Sequence, residues 1–252
     1  MGARLAELSW PEVERAVAAG ATTVVLPLGA TEQHGPHLPL GTDTFRAEAL
    51  AELLARRLPG SLVAPALPFG CSDEHAGFPG LLGVGKETLA RVLVELARRM
   101  AGWGVERLVL LSAHGGNGEA LSLARTRLRR ELPGLVVWAE GDLTSPSPAL
   151  AGVARREGVP EGVLGLHAGE GETSEMLCLR PELVHRGRAR PGYTGDMEAV
   201  MERLKTGGLR AADRSGVLGD PTRAEAGRGA AYLEARAEEI ARAVLGSPGG
   251  GG

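Results

Sequence analysis

The chain has 252 residues, a formal net charge of −3 with both signs evenly spread, and 3% aromatic residues, so it offers neither the basic stripe nor the stacking platforms of a nucleic-acid binder. Its two cysteines, Cys71 and Cys178, are too few for a disulfide framework, and it carries no secretory h-region or long apolar span, so a protein of a reducing cytoplasm with no membrane partner is expected. A chain of this size can bury a core without staples; one domain is expected over residues 1–246, with the glycine-rich 247–252 as a flexible tail.

Ser9 with Glu12 three residues on predicts a capped helix from Ser9 to Ala19, stopped by Gly20. An apolar strand follows from Thr22 to Leu28, then the glycine- and proline-rich stretch GATEQHGPHLPLGTD. Apolar residues at helical spacing predict a helix over Thr44–Leu58, and a strand over Ser61–Pro65 leads into a long loop from Pro68 to Gly85. Helix Lys86–Gly102 precedes strand Arg107–Ser112, whose continuous apolar run is what a strand buried on both faces of a parallel sheet presents. Helix Glu119–Leu132, strand Leu135–Ala139, a helix ending at Arg180 before Pro181, and an Ala-rich last helix containing Gly227 complete the series. This alternation predicts the α/β class, as a three-layer α/β/α sandwich with a mainly parallel sheet.

In such sheets functional groups collect where strands release the chain at their carboxyl ends. The loop after Leu28 supplies Glu32, His34 and Asp43, and the loop after Ser112 supplies Ala113-His114-Gly115-Gly116-Asn117. Clustered carboxylates and imidazoles suit a divalent metal centre. Glycines beside His114 allow close backbone approach, and the helix N-terminus behind them offers N–H groups to an oxyanion, which makes Gly115, Gly116 and Asn117 candidate substrate contacts. Asn117 can alternatively fix a loop carbonyl.

A third cluster, His167-Ala168-Gly169-Glu170-Gly171-Glu172-Thr173-Ser174-Glu175, adds a histidine and three acids beside a helix. Glu175 reads as a first-turn capping and dipole partner, whereas His167 and Glu172 lie in the glycine-rich approach. His167 is the candidate proton handler or oxyanion stabiliser, with orientation of Glu172 as its alternative role. Glu74 and His75 in the long loop are candidates to close over substrate. His37, with Pro36 and Pro39 around it, reads as loop structure, and Cys71 has no neighbouring base to make it reactive. Ser112 and Ser174 lack the G-x-S-x-G elbow of a serine hydrolase.

The strings LPLGATEQHGPHLPLGTD, VLLSAHGGN and HAGEGETSEML resemble the creatininase family of metal-dependent amidohydrolases, in family order across nearly the whole chain. The resemblance implies an α/β/α fold, a dinuclear divalent-metal site, a homo-oligomer that is often hexameric, and hydrolysis of a C–N amide bond by water. It implies that Glu32 and His114 hold one ion, that His34 holds the other, and that Asp43 bridges them. Zinc, iron and manganese all accept such ligands. Creatinine hydrolases of the family carry a glutamate ligand two residues after the second-motif histidine, where this chain has Gly116, and a tryptophan upstream of the third-motif histidine, where Glu161-Gly162-Val163-Leu164-Gly165-Leu166 has no aromatic residue. Creatinine is therefore disfavoured as substrate, and Glu172, or alternatively Glu170, is expected to replace the missing carboxylate.

The segments Gly70-Cys71-Ser72-Asp73-Glu74-His75 and Arg214-Ser215-Gly216-Val217-Leu218-Gly219-Asp220-Pro221-Thr222 further resemble the branch acting in mycofactocin biosynthesis. That branch implies a peptidase releasing a modified C-terminal Val-Tyr dipeptide from a small precursor peptide. The competing readings are a creatinine-type cyclic amidase, a formamide hydrolase and a non-catalytic metal-binding scaffold. A scaffold has no reason to hold Glu32, His34, Asp43, His114 and His167 together in loops, which favours an enzyme.

Overall fold

In the computed structural model, which describes residues 3–139 and 147–246, five strands form one sheet in the order β1-β3-β2-β4-β5. They are β1 (Ala3–Arg4), β2 (Thr23–Leu28), β3 (Ser61–Val63), β4 (Arg107–Ser112) and β5 (Val136–Ala139), and every pairing is parallel. The helices are α1 (Trp10–Ala18), α2 (Thr42–Ala55), α3 (Lys86–Gly102), α4 (Gly118–Glu131), α5 (Pro148–Arg156), α6 (Glu161–Leu164), α7 (Glu170–Leu179), α8 (Met197–Ala212, kinked at Gly208) and α9 (Ala226–Gly246). At the N-terminus of α1, Ser9 and Glu12 exchange hydrogen bonds in the capping box that their spacing predicts.

The period-2 alternation of the strands explains the layers. Val24, Leu26, Leu28, Leu108 and Leu110 turn to one face, where Leu89, Leu93 and Ala97 of α3 and Ala120, Ala124 and Leu128 of α4 cover them. Val25, Val63, Val109 and Leu111 turn to the other, against Leu50 and Leu54 of α2 and Leu233, Ala237 and Ile240 of α9. Covering both faces is why β2 and β4 read as unbroken apolar runs. The α/β/α architecture expected from the sequence is the one observed.

Register is what positions the functional loops. Thr23 pairs with Arg107 and the ladder continues to Leu28 opposite Ser112, so β2 and β4 end side by side and release their loops at one point on the sheet edge. Three local features differ from expectation. Helix α2 begins at Thr42, which puts Asp43 in its first turn rather than in the loop. Helix α7 begins at Glu170, so Glu172 stands in the first turn and Glu175 in the second, where a capping role is not open to it. Strand β1 and helices α5, α6 and α8 went unpredicted; β1 is two residues long, and the α8 pattern is broken by Gly207-Gly208, with Gly208 at φ +69°. The tail at 247–252 lies outside the described residues.

Candidate metal centre

The loop after β2 is folded back by Glu32 N–H donating to the Leu40 carbonyl (3.0 Å). It leaves Glu32 and His34 fully buried and Asp43 almost so. Gly29 is required here: a Cβ at that position would overlap the backbone of Thr44, so only glycine lets the loop pass so close to α2. The loop after β4 is pinned by Asn117. Its amide donates to Gly29 O (3.2 Å) and Ser112 Oγ (3.1 Å), while its Oδ1 accepts from Cys71 N–H (2.9 Å), tying three loops together. Asn117 is fully buried and its side chain is spent in this way, so the structural alternative describes it and the expected substrate contact does not.

The three sequence motifs meet around Asp43. His34 Nε2 lies 3.2 Å from Asp43 Oδ1 and 3.7 Å from Glu172 Oε2. His114 Nδ1 lies 3.3 Å from Glu32 Oε1 and 3.4 Å from Asp43 Oδ2. Two groups of possible ligand atoms result, Glu32 with Asp43 and His114, and His34 with Asp43 and Glu172, each set lying within 4.8 Å of one another and sharing Asp43. A third overlapping group joins Glu32, His34 and His167.

The donor set fits divalent cations. Both carboxylate oxygens of Glu32 and Oδ2 of Asp43 are buried without a well-aligned hydrogen-bond donor, although His75 Nε2 approaches Glu32 Oε1 at 3.1 Å. Buried carboxylate oxygens left this way are expensive unless a cation meets them. The electrostatics carry the same strain. Burial pushes Glu32 up to about 8, with Asp43 adding repulsion. Burial works against charge on His34 and His114, yet Asp43, Glu172 and Glu32 raise His34 to about 9, and Glu32 and Asp43 raise His114 to about 10. Protons occupy positions that a metal ion would compete for.

The third motif divides its acids. Glu172 accepts from Arg46 Nη1 at Oε1 (2.6 Å) and from Ala168 N–H at Oε2 (2.6 Å). Ala168 adopts a left-handed φ of +51°, unusual for a residue with a Cβ and typical of functional turns. Glu170 points elsewhere, onto Ser174 Oγ (2.7 Å), Arg228 Nε (2.6 Å) and Tyr232 OH (2.8 Å), and belongs to none of the ligand groups. Glu175 is fully buried and pairs with Arg46 Nε. His167 packs against His34 with ring centroids 4.3 Å apart and planes tilted by 42°, and its Nε2 meets both the backbone carbonyl oxygen (2.8 Å) and the side-chain amide nitrogen (3.0 Å) of Gln33. Burial and His34 push His167 down to about 3, so its imidazole is neutral at physiological pH.

The remaining residues take defined places. A Cβ at Gly116 would overlap the Cys71 carbonyl and stand 2.5 Å from His114 Nε2 and 2.7 Å from Glu74 Oε1, so this loop has no room for a side chain there. His114 Nε2 instead meets the Cys71 carbonyl at 2.8 Å, which directs its other nitrogen to Glu32 and Asp43. Glu74 is half-buried over this point, 3.7 Å from His114 Nε2. His75 is buried beside Glu32, with burial the main cause holding it neutral, rather than displayed on a loop surface. Gly115 is exposed and lines a cavity beside Glu172, with Arg46, Ala113, Leu164 and Leu166. His37 bonds Thr173 Oγ1 (3.0 Å) and joins no ligand group. The Cys71 thiol is pushed up to about 11 by burial and neighbouring acids, in keeping with an inert thiol.

Two participants escaped the sequence reading, Gln33 and Arg46. Arg46 had a signal: it shares the buried face of α2 with Asp43, Ala47, Leu50 and Leu54, and a charge on an apolar stripe needs a buried partner. Gln33 had none, because its role depends on His75 and His167 arriving from distant segments.

Comparison with known proteins agrees with this geometry. The family model for creatininase (creatinine amidohydrolase) matches residues 6–244. The chain belongs to the creatininase family. It is therefore a metal-dependent hydrolase acting on C–N bonds. Among curated relatives, a mycofactocin precursor peptide peptidase of Mycobacterium tuberculosis (strain CDC 1551 / Oshkosh) is 38% identical over 88% of this chain and 84% of its own. A creatinine amidohydrolase of Pseudomonas putida is 36% identical over 72% and 74%. A crystal structure of creatininase superposes with a TM-score of 0.76 at 30% identity, covering 96% of both chains. Solved creatininases include a manganese and a zinc–zinc form. Among the described residues no helix is long and apolar enough to cross a membrane.

Proposed function

We propose that this creatininase-family enzyme is a cytoplasmic peptidase acting on a short modified peptide, with a mycofactocin precursor as its substrate class. The observation that carries the choice is Gly116, where backbone and His114 leave no space for the glutamate ligand that the resemblance assigns to creatinine hydrolases. The higher identity to the precursor peptide peptidase than to creatinine amidohydrolase points the same way.

In this reading Glu32, Asp43 and His114 hold one divalent ion, and His34, Asp43 and Glu172 hold a second, with zinc, iron and manganese all compatible. When bound, such a pair supplies an activated water nucleophile and polarises the amide carbonyl. The chain's own part is to carry protons and orient groups. His167 can hold or release a proton at Nε2 without losing a partner, since the Gln33 carbonyl accepts from an N–H there and the Gln33 amide donates to a bare nitrogen. Neutral at rest, His167 can therefore take up a proton released in the reaction and pass it on to the leaving nitrogen. Glu74 and Gly115 border the approach to the cluster and are proposed to meet the substrate. A homo-oligomer, hexamer-like, is proposed from the family resemblance.

The test is mass spectrometry of products after the zinc- or iron-loaded protein is incubated with a C-terminally decarboxylated Val-Tyr peptide and, separately, with creatinine. Release of the terminal dipeptide, abolished by His114→Ala, is expected. Turnover of creatinine alone would replace this reading with the cyclic amidase.

A further inference from the structure

Arg46 is a buried cation whose partners include two of the ligands proposed above. It projects from α2 one turn beyond Asp43, with only 5% of its side chain exposed. A guanidinium in that position must be fully partnered. Its Nε meets Glu175 Oε2, while Nη1 meets Glu172 Oε1 at 2.6 Å, Asp43 Oδ1 at 3.2 Å and the Ala113 carbonyl at 3.3 Å. Each carboxylate thereby keeps its second oxygen free of Arg46: Glu172 Oε2 faces His34 and Asp43 Oδ2 faces His114.

Glu172 needs this support. Its side chain is 16% exposed and borders the cavity, so a flexible glutamate could rotate outward. With position 116 closed to any side chain, no other carboxylate can come from that loop. Arg46 and the Ala168 N–H each hold one of its two oxygens. A lone cation beside the cluster would repel metal ions, but Glu175, fully buried against Nε, offsets its charge. Lysine could not reproduce the arrangement, because separate nitrogens of one planar group reach Glu175 and Glu172 together.

Resting on the two-ion reading above, we propose that Arg46, anchored by Glu175, is the positioning residue that makes Glu172 the carboxylate ligand of the ion on the His34 side.

The test counts ions, independently of turnover. Chelator-stripped protein is titrated with Zn2+, bound metal is measured by inductively coupled plasma mass spectrometry, and affinities come from competition with a chromophoric chelator. Arg46→Met with Glu175→Gln removes both members of the ion pair, so no unpaired charge on 175 is left behind; Arg46→Lys keeps the charge and loses the fork. Circular dichroism checks that each is folded. In both, the His34-side ion should weaken by about 10–100-fold, the range for residues that orient metal ligands, while the ion on Glu32 and His114 binds as in the parent. Adding the double substitution to Glu172→Gln should cause no further loss; adding it to His114→Ala should weaken the remaining ion by the same factor. Parent affinity for both ions in the variants, or equal weakening of both, overturns the proposal while the two-ion reading stands. A parent that takes up fewer than two ions overturns that reading and the role of Arg46 with it.

Discussion

Glu170 and Glu172 stand two apart in the first turn of α7, and their partners assign them different work. Glu170 is saturated by Ser174, Arg228 and Tyr232, while Glu172 shares its oxygens between Arg46, Ala168 N–H and the approach to His34. Glu172→Gln is therefore expected to lose one of two bound ions and at least about 100-fold in turnover, the scale on which metal-site contacts act, with little change in fold. Glu170→Gln should instead lower stability by about 1–3 kcal/mol, as expected when buried hydrogen-bonding groups lose a charged acceptor, and leave metal content intact. Thermal melts and metal analysis on the two variants separate these outcomes; the reverse pattern would reassign the ligand. His167→Asn should keep both ions yet lose about 10²–10⁴ in turnover, the usual contribution of a positioned acid or base, and a loss of metal in that variant would make His167 a ligand instead.

At the scale of elements, the site exists because β2 and β4 end in register, Leu28 opposite Ser112, and because Asn117 then stitches their loops to the segment at Cys71. Asn117→Ala should cost about 1–3 kcal/mol, the penalty for leaving buried partners unpaired, and weaken metal uptake although Asn117 touches no ligand group. Ser9→Ala, at the far capping box of α1, should cost about 1 kcal/mol as a lost cap does and leave metal uptake unchanged, which makes it the control. The central strands β2 and β4 were legible in the sequence because burial on both faces gives apolar runs such as Arg107–Ser112, and α3 because its stripe is sharp; the two-residue β1 has no such run. Glu32, His34, Asp43 and His114 were legible as a cluster because parallel topology brings successive loops to one edge. What was not legible depends on contacts made only in the folded chain: Gln33 between His75 and His167, Arg46 beneath Glu172, and Glu175 as its partner instead of a cap. Helix α8 escaped for a local reason, the Gly207-Gly208 pair that breaks its period.

Across the whole molecule, the cluster makes the stability of the metal-free protein depend on pH in an unusual direction. Above about pH 7.5 the groups with depressed values, Asp43, Glu172, His37 near 4, His167 near 3 and His75 held well below its usual value by burial, have released their protons in both folded and unfolded states. The groups still titrating differently include those raised by folding: Glu32 to about 8, His34 to about 9, His114 to about 10 and Cys71 to about 11. For each, the folded state binds more protons than the unfolded state, so stability declines as pH rises through these values. Chelator-treated protein should melt at progressively lower temperature between about pH 7.5 and pH 10. Metal reverses the trend. An ion requires the same carboxylates and imidazoles deprotonated, so its binding strengthens as protons leave, and binding to the folded state alone raises the melting temperature. The gap between zinc-loaded and chelator-treated protein should therefore widen steadily from pH 6.5 to pH 9. A gap that stays constant over this range would mean that the buried oxygens of Glu32 and Asp43 are not what the ions engage.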